Sequence, residues 1–125
     1  MIYGIGTDIV GVKRLQGMWE RHGEKAINRL LAPSEFNDFY LAADKGRFLA
    51  KRFAAKEALS KALGTGVRPP ATLSAMAVVH DDLGKPLMTC CGQLAVVLEN
   101  QKLKIHLSIS DEADYAVALV VLEQA

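Results

Sequence analysis

Two carboxylates stand out in this chain because of the company they keep. Asp8 interrupts an otherwise apolar run, GIGTDIV, and Glu57 is the one acid among five cations (Arg47, Lys51, Arg52, Lys56 and Lys61) between positions 47 and 61. Such an excess of positive charge suits a polyanion, because Arg and Lys pair strongly with phosphate oxygens. A carboxylate in the same cradle repels that ligand unless a divalent cation lies between them. Mg²⁺ is typically held by one or two carboxylates, with substrate phosphates and waters completing its shell. Glu57 is then one ligand and Asp8 the candidate second. The plainer account is a solvated helix with an i,i+4 Glu57–Lys61 pair contributing about 0.3 kcal/mol, and with Arg52 and Lys56 snorkelling past their neighbours. It leaves open why two cations share the apolar stripe. Asp8 by itself also reads as a turn or cap residue.

Other residues could carry chemistry. In HLSIS, His106, Ser108 and Ser110 fall on one face of a strand, with Asp111 just beyond. A hydrolytic triad is disfavoured there: same-face strand neighbours stand about 7 Å apart, too far for a nucleophile–base hydrogen bond without rearrangement, and no G-x-S-x-G elbow accompanies them. Gly64, Thr65 and Gly66 read as a helix stop or as backbone that a ligand can approach closely. Gly84, Lys85 and Pro86 form a tight turn. Arg14, Met18, Arg21 and Lys25 recur at helical spacing, which is either solvated surface or a docking face for an acidic helix. His22 and His80 have no partner pattern and read as structural.

The elements that must position these groups are legible from periodicity. Residues 2–10 read as a strand, with glycines at 4 and 6 where another backbone can come close. Val12, Leu15 and Trp19 open a helical stripe, and a second helical piece covers about 24–31. Pro33 and Ser34 start a helix running to about Ala42. A long helix follows from Asp44, its N-cap, to Leu63, with Gly64 and Gly66 as the stop. Within it Phe48, Leu49, Phe53, Ala55, Leu59 and Leu63 make an apolar arc that contains Arg52 and Lys56. VRPPATL is loop. LSAMAVVHDDLGKPLMTCC reads as strand, turn, strand; GQLAVVLENQ as a short helix with Leu94, Val97 and Leu98 inward; KLKIHLSIS and DYAVALVVLEQ as strands. Without a βαβ rhythm, this is an α+β chain with a mainly antiparallel sheet, one long helix and several short ones.

Bulk properties bound the function. The chain has 125 residues, a formal net charge of +1, 50% hydrophobic and 23% charged residues, which reads as a single domain over 1–125 with a core of its own. The near-neutral charge and few aromatics argue against a nucleic-acid binder. No apolar run approaches the ~20 residues of a membrane helix, and the N-terminus lacks signal-peptide character. Cys90 and Cys91 are adjacent, which disfavours an unstrained disulfide, and read as reduced thiols of a cytoplasmic protein.

Taken together, GIGTDIV, RFAAKEALSKALGTG, LGKP and HLSIS resemble, in order and spacing over essentially the whole chain, the bacterial holo-[acyl-carrier-protein] synthase family of small 4'-phosphopantetheinyl transferases. The resemblance implies that family's fold and reaction: the phosphopantetheine arm of coenzyme A passes to a serine of apo-acyl carrier protein, releasing adenosine 3',5'-bisphosphate, with Mg²⁺ required, in support of fatty acid biosynthesis. It implies Asp8 and Glu57 as the metal carboxylates. It also implies cofactor contacts from Arg47, Arg52, Lys56, Gly64, Thr65, Gly66, Lys85, Pro86 and His106, and carrier docking on Arg14 and Arg21. Lys61, one turn from Glu57, is the candidate stabiliser of the leaving group. A metal-held water, Asp8 and Glu57 are all candidates for the base. Family members often carry acids just after TDIV, whereas Gly11 and Lys13 stand here, leaving Asp8 and Glu57 alone to serve the metal. Larger relatives resemble two such units fused, so a single unit implies a homotrimer with sites between subunits. A non-catalytic coenzyme A-binding module is the rival from another class, and it predicts binding that needs neither Mg²⁺ nor Glu57.

Overall fold

Two glycines decide how the first strand meets the long helix. In the computed structural model, which describes residues 1–125, the strand β1 (Ile2–Gly11) lies directly on the helix α4 (Lys45–Leu63). A Cβ at Gly4 would stand 2.0 Å from the Ala62 carbonyl oxygen, and one at Gly6 2.0 Å from that of Ala58. Only glycine permits this approach. The facing helix side is correspondingly small, with Ala54, Ala58 and Ala62 buried.

Helix α4 begins and ends as its sequence dictates. The Asp44 carboxylate accepts the Arg47 N–H at 3.0 Å as an N-cap, and Gly64 adopts the left-handed conformation (φ 80°) at the C-terminus. The helix is central and buried on most sides, including Leu49, Ala50, Ala55 and Leu59. Each of the two leucines contributes about 1.5–3 kcal/mol by leaving water. The apolar arc read from the sequence is therefore too narrow: it omits the alanine face against β1.

The remaining elements are α1 (Val12–His22), α2 (Glu24–Leu30), α3 (Phe36–Leu41), α5 (Gly92–Asn100), β2 (Met76–His80), β3 (Pro86–Cys90), β4 (Leu103–Asp111) and β5 (Tyr115–Gln124), with short 3₁₀ turns at Pro33–Glu35 and Leu73–Ala75. All strand pairs are antiparallel. They form a three-stranded sheet in the order β1-β5-β4 and a separate β2–β3 hairpin. The α+β reading holds, with its strands divided between two sheets.

In the larger sheet, alternation divides the residues cleanly between two faces. Asp8 pairs with Ala118, which pairs with Ile109, and this row faces α4. Ile5, Val121 and His106 form a row on the opposite face, as do Thr7, Leu119 and Ser108. On the helix side, Trp19, Phe39 and Phe48 stack edge to face at 5.0 and 5.8 Å, joining α1, α3 and α4. No helix is long and apolar enough to cross a membrane.

Candidate active site

Register carries Asp8 to Glu57. Gly4 and Gly6 seat β1 on α4 at Ala62 and Ala58, so Asp8, two residues further along the same strand face, meets the helix one turn nearer its start. There Lys61 donates to Asp8 Oδ1 at 3.1 Å and to the Thr7 carbonyl at 3.0 Å. Glu57 sits half-buried beside them, its pKa raised by burial first and by the Asp8 charge second, and drawn back by Lys61 and Arg14. Two acids and an ammonium, far apart in sequence, thus share one locality. No cluster of three or more metal-ligating side chains occurs anywhere.

Glu57 also lines a cavity of about 650 Å³ between α1, α2 and α4, with Arg14, His22, Lys25 and Arg29 as its polar rim and Met18, Phe53, Val67 and Leu73 as its apolar wall. Arg14 is exposed and rests over the Phe53 ring, 5.4 Å from its centroid. Arg21, two turns on, folds across Gly17, where a Cβ would stand 2.9 Å from its Nη1.

On another side of α4 lies a smaller cavity of about 230 Å³, lined by Arg47, Lys51, Arg52 and His80 with Phe48, Val78 and Ile109. Arg52 and Glu57 are about 140° apart around the helix, and Arg47 is about 15 Å from Glu57 along it. One chain therefore does not bring Arg47 and Arg52 together with the two acids. His80 keeps its proton poorly, because burial and then the charges of Arg52 and Lys51 lower its pKa. Arg47 is engaged by Asp44, Asp111 and the carbonyls of Glu112 and Ala113, which pins the β4–β5 turn to the start of α4.

Lys56 corrects the sequence reading. Its side chain is fully buried, and its ammonium donates to the Leu30 carbonyl at 2.9 Å and to Glu35 Oε1 at 2.5 Å. Burial lowers its pKa against the pull of Glu35. It cannot touch a ligand, and its place in the apolar arc is explained by Glu35, itself 2% exposed. Arg52 is corrected in part: Nη1 is committed to Glu35 Oε2 at 2.9 Å and to the Val78 carbonyl, so only the rest of its guanidinium faces the cavity. Sequence reading passed over Glu35 as part of a helix start. The signal was there: two cations in an apolar stripe require a buried acid from elsewhere.

The other expected contacts are dispersed. Gly64, Thr65 and Gly66 are exposed one turn after Lys61, and their N–H groups turn back to the carbonyls of Lys61 and Ser60. Lys85 is exposed at the hairpin tip, its N–H held by the Asp81 carboxylate. Pro86 pairs with His80 at the margin of the smaller cavity. His106 is exposed and lies 2.9 Å from Glu123 Oε1, on the sheet face opposite Asp8.

Residues 4–120 match the model of the 4'-phosphopantetheinyl transferase superfamily. Over all 125 residues, and over the full length of both proteins, the chain is 74% identical to a holo-[acyl-carrier-protein] synthase of Dechloromonas aromatica (strain RCB). It resembles the crystal structure of holo-[acyl-carrier-protein] synthase from Neisseria meningitidis with a TM-score of 0.94 and 44% identity, covering 99% of this chain and 100% of that one. A holo-(acyl-carrier-protein) synthase from Bacillus anthracis in complex with CoA (3',5'-ADP) follows at a TM-score of 0.84 and 37% identity, covering 100% and 99%.

Proposed function

The chain belongs to the 4'-phosphopantetheinyl transferase superfamily, and from that premise we infer that it works as a holo-[acyl-carrier-protein] synthase. It transfers 4'-phosphopantetheine from coenzyme A to a serine of apo-acyl carrier protein, which supports fatty acid synthesis. The observation that carries the site assignment is the meeting of Asp8, Glu57 and Lys61 at one point between β1 and α4.

The donor set fits a divalent cation of the Mg²⁺ kind. Both donors are hard carboxylate oxygens, and the Asp8 charge that disfavours ionised Glu57 is the repulsion a cation between them relieves. When bound, Mg²⁺ neutralises charge developing on the diphosphate and favours in-line displacement. Asp8 and Glu57 are the residues that would hold that ion. The serine hydroxyl gives up its proton to a carboxylate of the Asp8–Glu57 pair or to a water held there, its oxygen forms a bond to the phosphorus bearing pantetheine, and the bond from that phosphorus to the bridging oxygen breaks. The electron pair leaves on adenosine 3',5'-bisphosphate. Lys61, already beside Asp8, supplies a positive charge to that leaving oxygen.

The chain's separate patches support a site completed between copies, arranged as a homotrimer. Asp8 and His106 lie on opposite faces of one sheet, and the smaller cavity lies on a different side of α4 from Glu57. The sheet face away from α4 exposes Ile5, Ile9, Val117 and Leu119, an apolar surface that a second copy would cover. In this reading the nucleotide end of coenzyme A sits in the smaller cavity, with Lys85, Pro86 and a neighbouring copy's His106 beside it. Gly64, Thr65 and Gly66 border the diphosphate. The acidic carrier docks on Arg14 and Arg21 at the mouth of the larger cavity. Free Cys90 and Cys91 suit a cytoplasmic setting.

The deciding experiment incubates the protein with coenzyme A, Mg²⁺ and apo-carrier and weighs the carrier by mass spectrometry. The expected result is a gain of one phosphopantetheine group, blocked by chelator and by Glu57→Ala. Coenzyme A binding without any mass gain would instead identify a binding module.

A further inference from the structure

Glu35 is the most heavily engaged buried side chain in the molecule, and the transfer chemistry does not use it. Oε1 accepts the Ala32 N–H at 2.9 Å and the Lys56 ammonium at 2.5 Å; Oε2 accepts Arg52 Nη1 at 2.9 Å and the Val78 N–H at 3.0 Å. Arg52 Nη1 donates in turn to the Val78 carbonyl. Carboxylate, guanidinium and the backbone of one β2 residue therefore close a ring that fixes both Arg52 and Val78, two residues of the smaller cavity's wall.

The ring leaves Arg52 with a free edge. A guanidinium carries donors on Nε, Nη1 and Nη2 in a rigid fork. Here only Nη1 has protein acceptors, and no buried side-chain nitrogen or oxygen lacks a partner, so Nε and Nη2 remain accessible. The cavity is the space that Arg52 lines. The Phe48 ring, 4.2 Å from the guanidinium carbon, holds the plane from one side. The result is a charged, flat, pre-oriented donor edge beside His80, Lys51 and the apolar surfaces of Phe48, Val78 and Ile109. That suits a phosphate attached to a flat heteroaromatic group.

A purely structural clip between the turn at Pro33–Glu35 and α4 would need one cation. Two are present for one acid, so the acid satisfies Lys56 and still leaves a net positive charge under the cavity. We propose that Glu35 is a positioning residue for coenzyme A: it fixes the Arg52 edge and the β2 backbone so that a phosphate of the nucleotide end meets preformed donors. This rests on seating the nucleotide in the smaller cavity. Pre-orientation of this kind acts on binding of one substrate, because the acid itself touches neither substrate nor reacting atoms.

The test compares steady-state constants for the two substrates in Glu35→Gln, Glu35→Asp and Arg52→Gln. Glu35→Gln is expected to raise the coenzyme A KM about tenfold or more, with the apo-carrier KM within about twofold and kcat at saturating coenzyme A reduced far less. Glu35→Asp keeps the charge but draws it back by one methylene, and is expected to give a smaller rise in the same constant. It carries the comparison if Glu35→Gln yields too little folded protein. A general loss of folding would move both KM values or neither. If Arg52→Gln raises the coenzyme A KM while both folded Glu35 variants leave it unchanged, the positioning role is overturned and the cavity assignment stands. If Arg52→Gln itself leaves that KM unchanged, the nucleotide sits elsewhere and both ideas fall.

Discussion

The Lys61 ammonium lies 3.1 Å from the Asp8 carboxylate, joining residues 53 positions apart across the seam between β1 and α4. Glu57, one turn before Lys61 on the same helix, feels the Asp8 charge. Neither acid supports the hydrophobic core, so each can be removed without unfolding the chain. Asp8→Ala and Glu57→Ala are each expected to lower transfer by about 10³-fold or more at saturating Mg²⁺, with unchanged far-ultraviolet circular dichroism. Near-normal turnover in either variant would separate the pair from the chemistry.

The position of Asp8 depends on backbone contact two residues earlier. A methyl group at Gly6 would meet the Ala58 carbonyl at 2.0 Å and the Ala62 nitrogen at 2.8 Å, all backbone that cannot swing aside. Gly6→Ala should cost about 3 kcal/mol in urea unfolding, at the upper end of overpacking effects, and reduce transfer by moving Asp8 off α4. Gly11→Ala is the control, because nothing lies within 4 Å of its added methyl. Equal stabilities for the two variants would mean that β1 does not rest on the helix backbone.

The buried Glu35, Arg52 and Lys56 group makes an ordered prediction about stability. Glu35→Gln leaves two cations without a counter-charge and should cost about 3–5 kcal/mol. Lys56→Met keeps the Glu35–Arg52 pair and orphans mainly the Leu30 carbonyl, at about 1 kcal/mol. The sign with pH follows from the Lys56 shift. Its folded pKa lies below the ordinary 10.5, so between the two values the unfolded chain binds the extra proton and stability rises with pH. Lys56→Met should flatten that rise in denaturation measured across the alkaline range. A steeper rise in the variant, or a smaller cost for Glu35→Gln, would contradict this account.

That group also marks where sequence reading stops. Local signals located the glycines of β1, the Asp44 cap, the Gly64 stop and the alternation of β4, because each is settled within a few residues. Glu35 was hidden because its partners Arg52, Lys56 and Val78 lie 17, 21 and 43 residues away, while its own neighbours spell an ordinary helix start. The same distance problem made Lys56 look like a ligand contact. Motif order could place Asp8 and His106 in one reaction, but only strand register reveals that the sheet separates them within a chain.

Carrier docking is testable on α1. Arg14 lies over Phe53 at the edge of the larger cavity, and Arg21 is exposed two turns further on. Arg14→Glu with Arg21→Glu should raise the apo-carrier KM about tenfold or more and weaken its dependence on salt, because long-range attraction to an acidic partner is lost. The coenzyme A KM should stay within about twofold. Unchanged carrier kinetics would move docking to another face.

Separation of Asp8 from His106 gives the sharpest test of shared sites. If each site takes Asp8 from one copy and His106 from the next, then Asp8→Ala and His106→Ala spoil different sides of the same interface. In a trimer holding both kinds of subunit, one interface of the three joins an intact Asp8 to an intact His106. Random assembly from equal amounts makes three quarters of the trimers mixed, so about one quarter of all sites should be whole after co-expression. The pure variants should each fall well below that activity. Val117→Glu, placed on the apolar outer sheet face, should yield monomers by light scattering and abolish the rescue. A co-expressed mixture no more active than its parents, or an active monomer at working dilution, would mean that one copy builds the whole site alone.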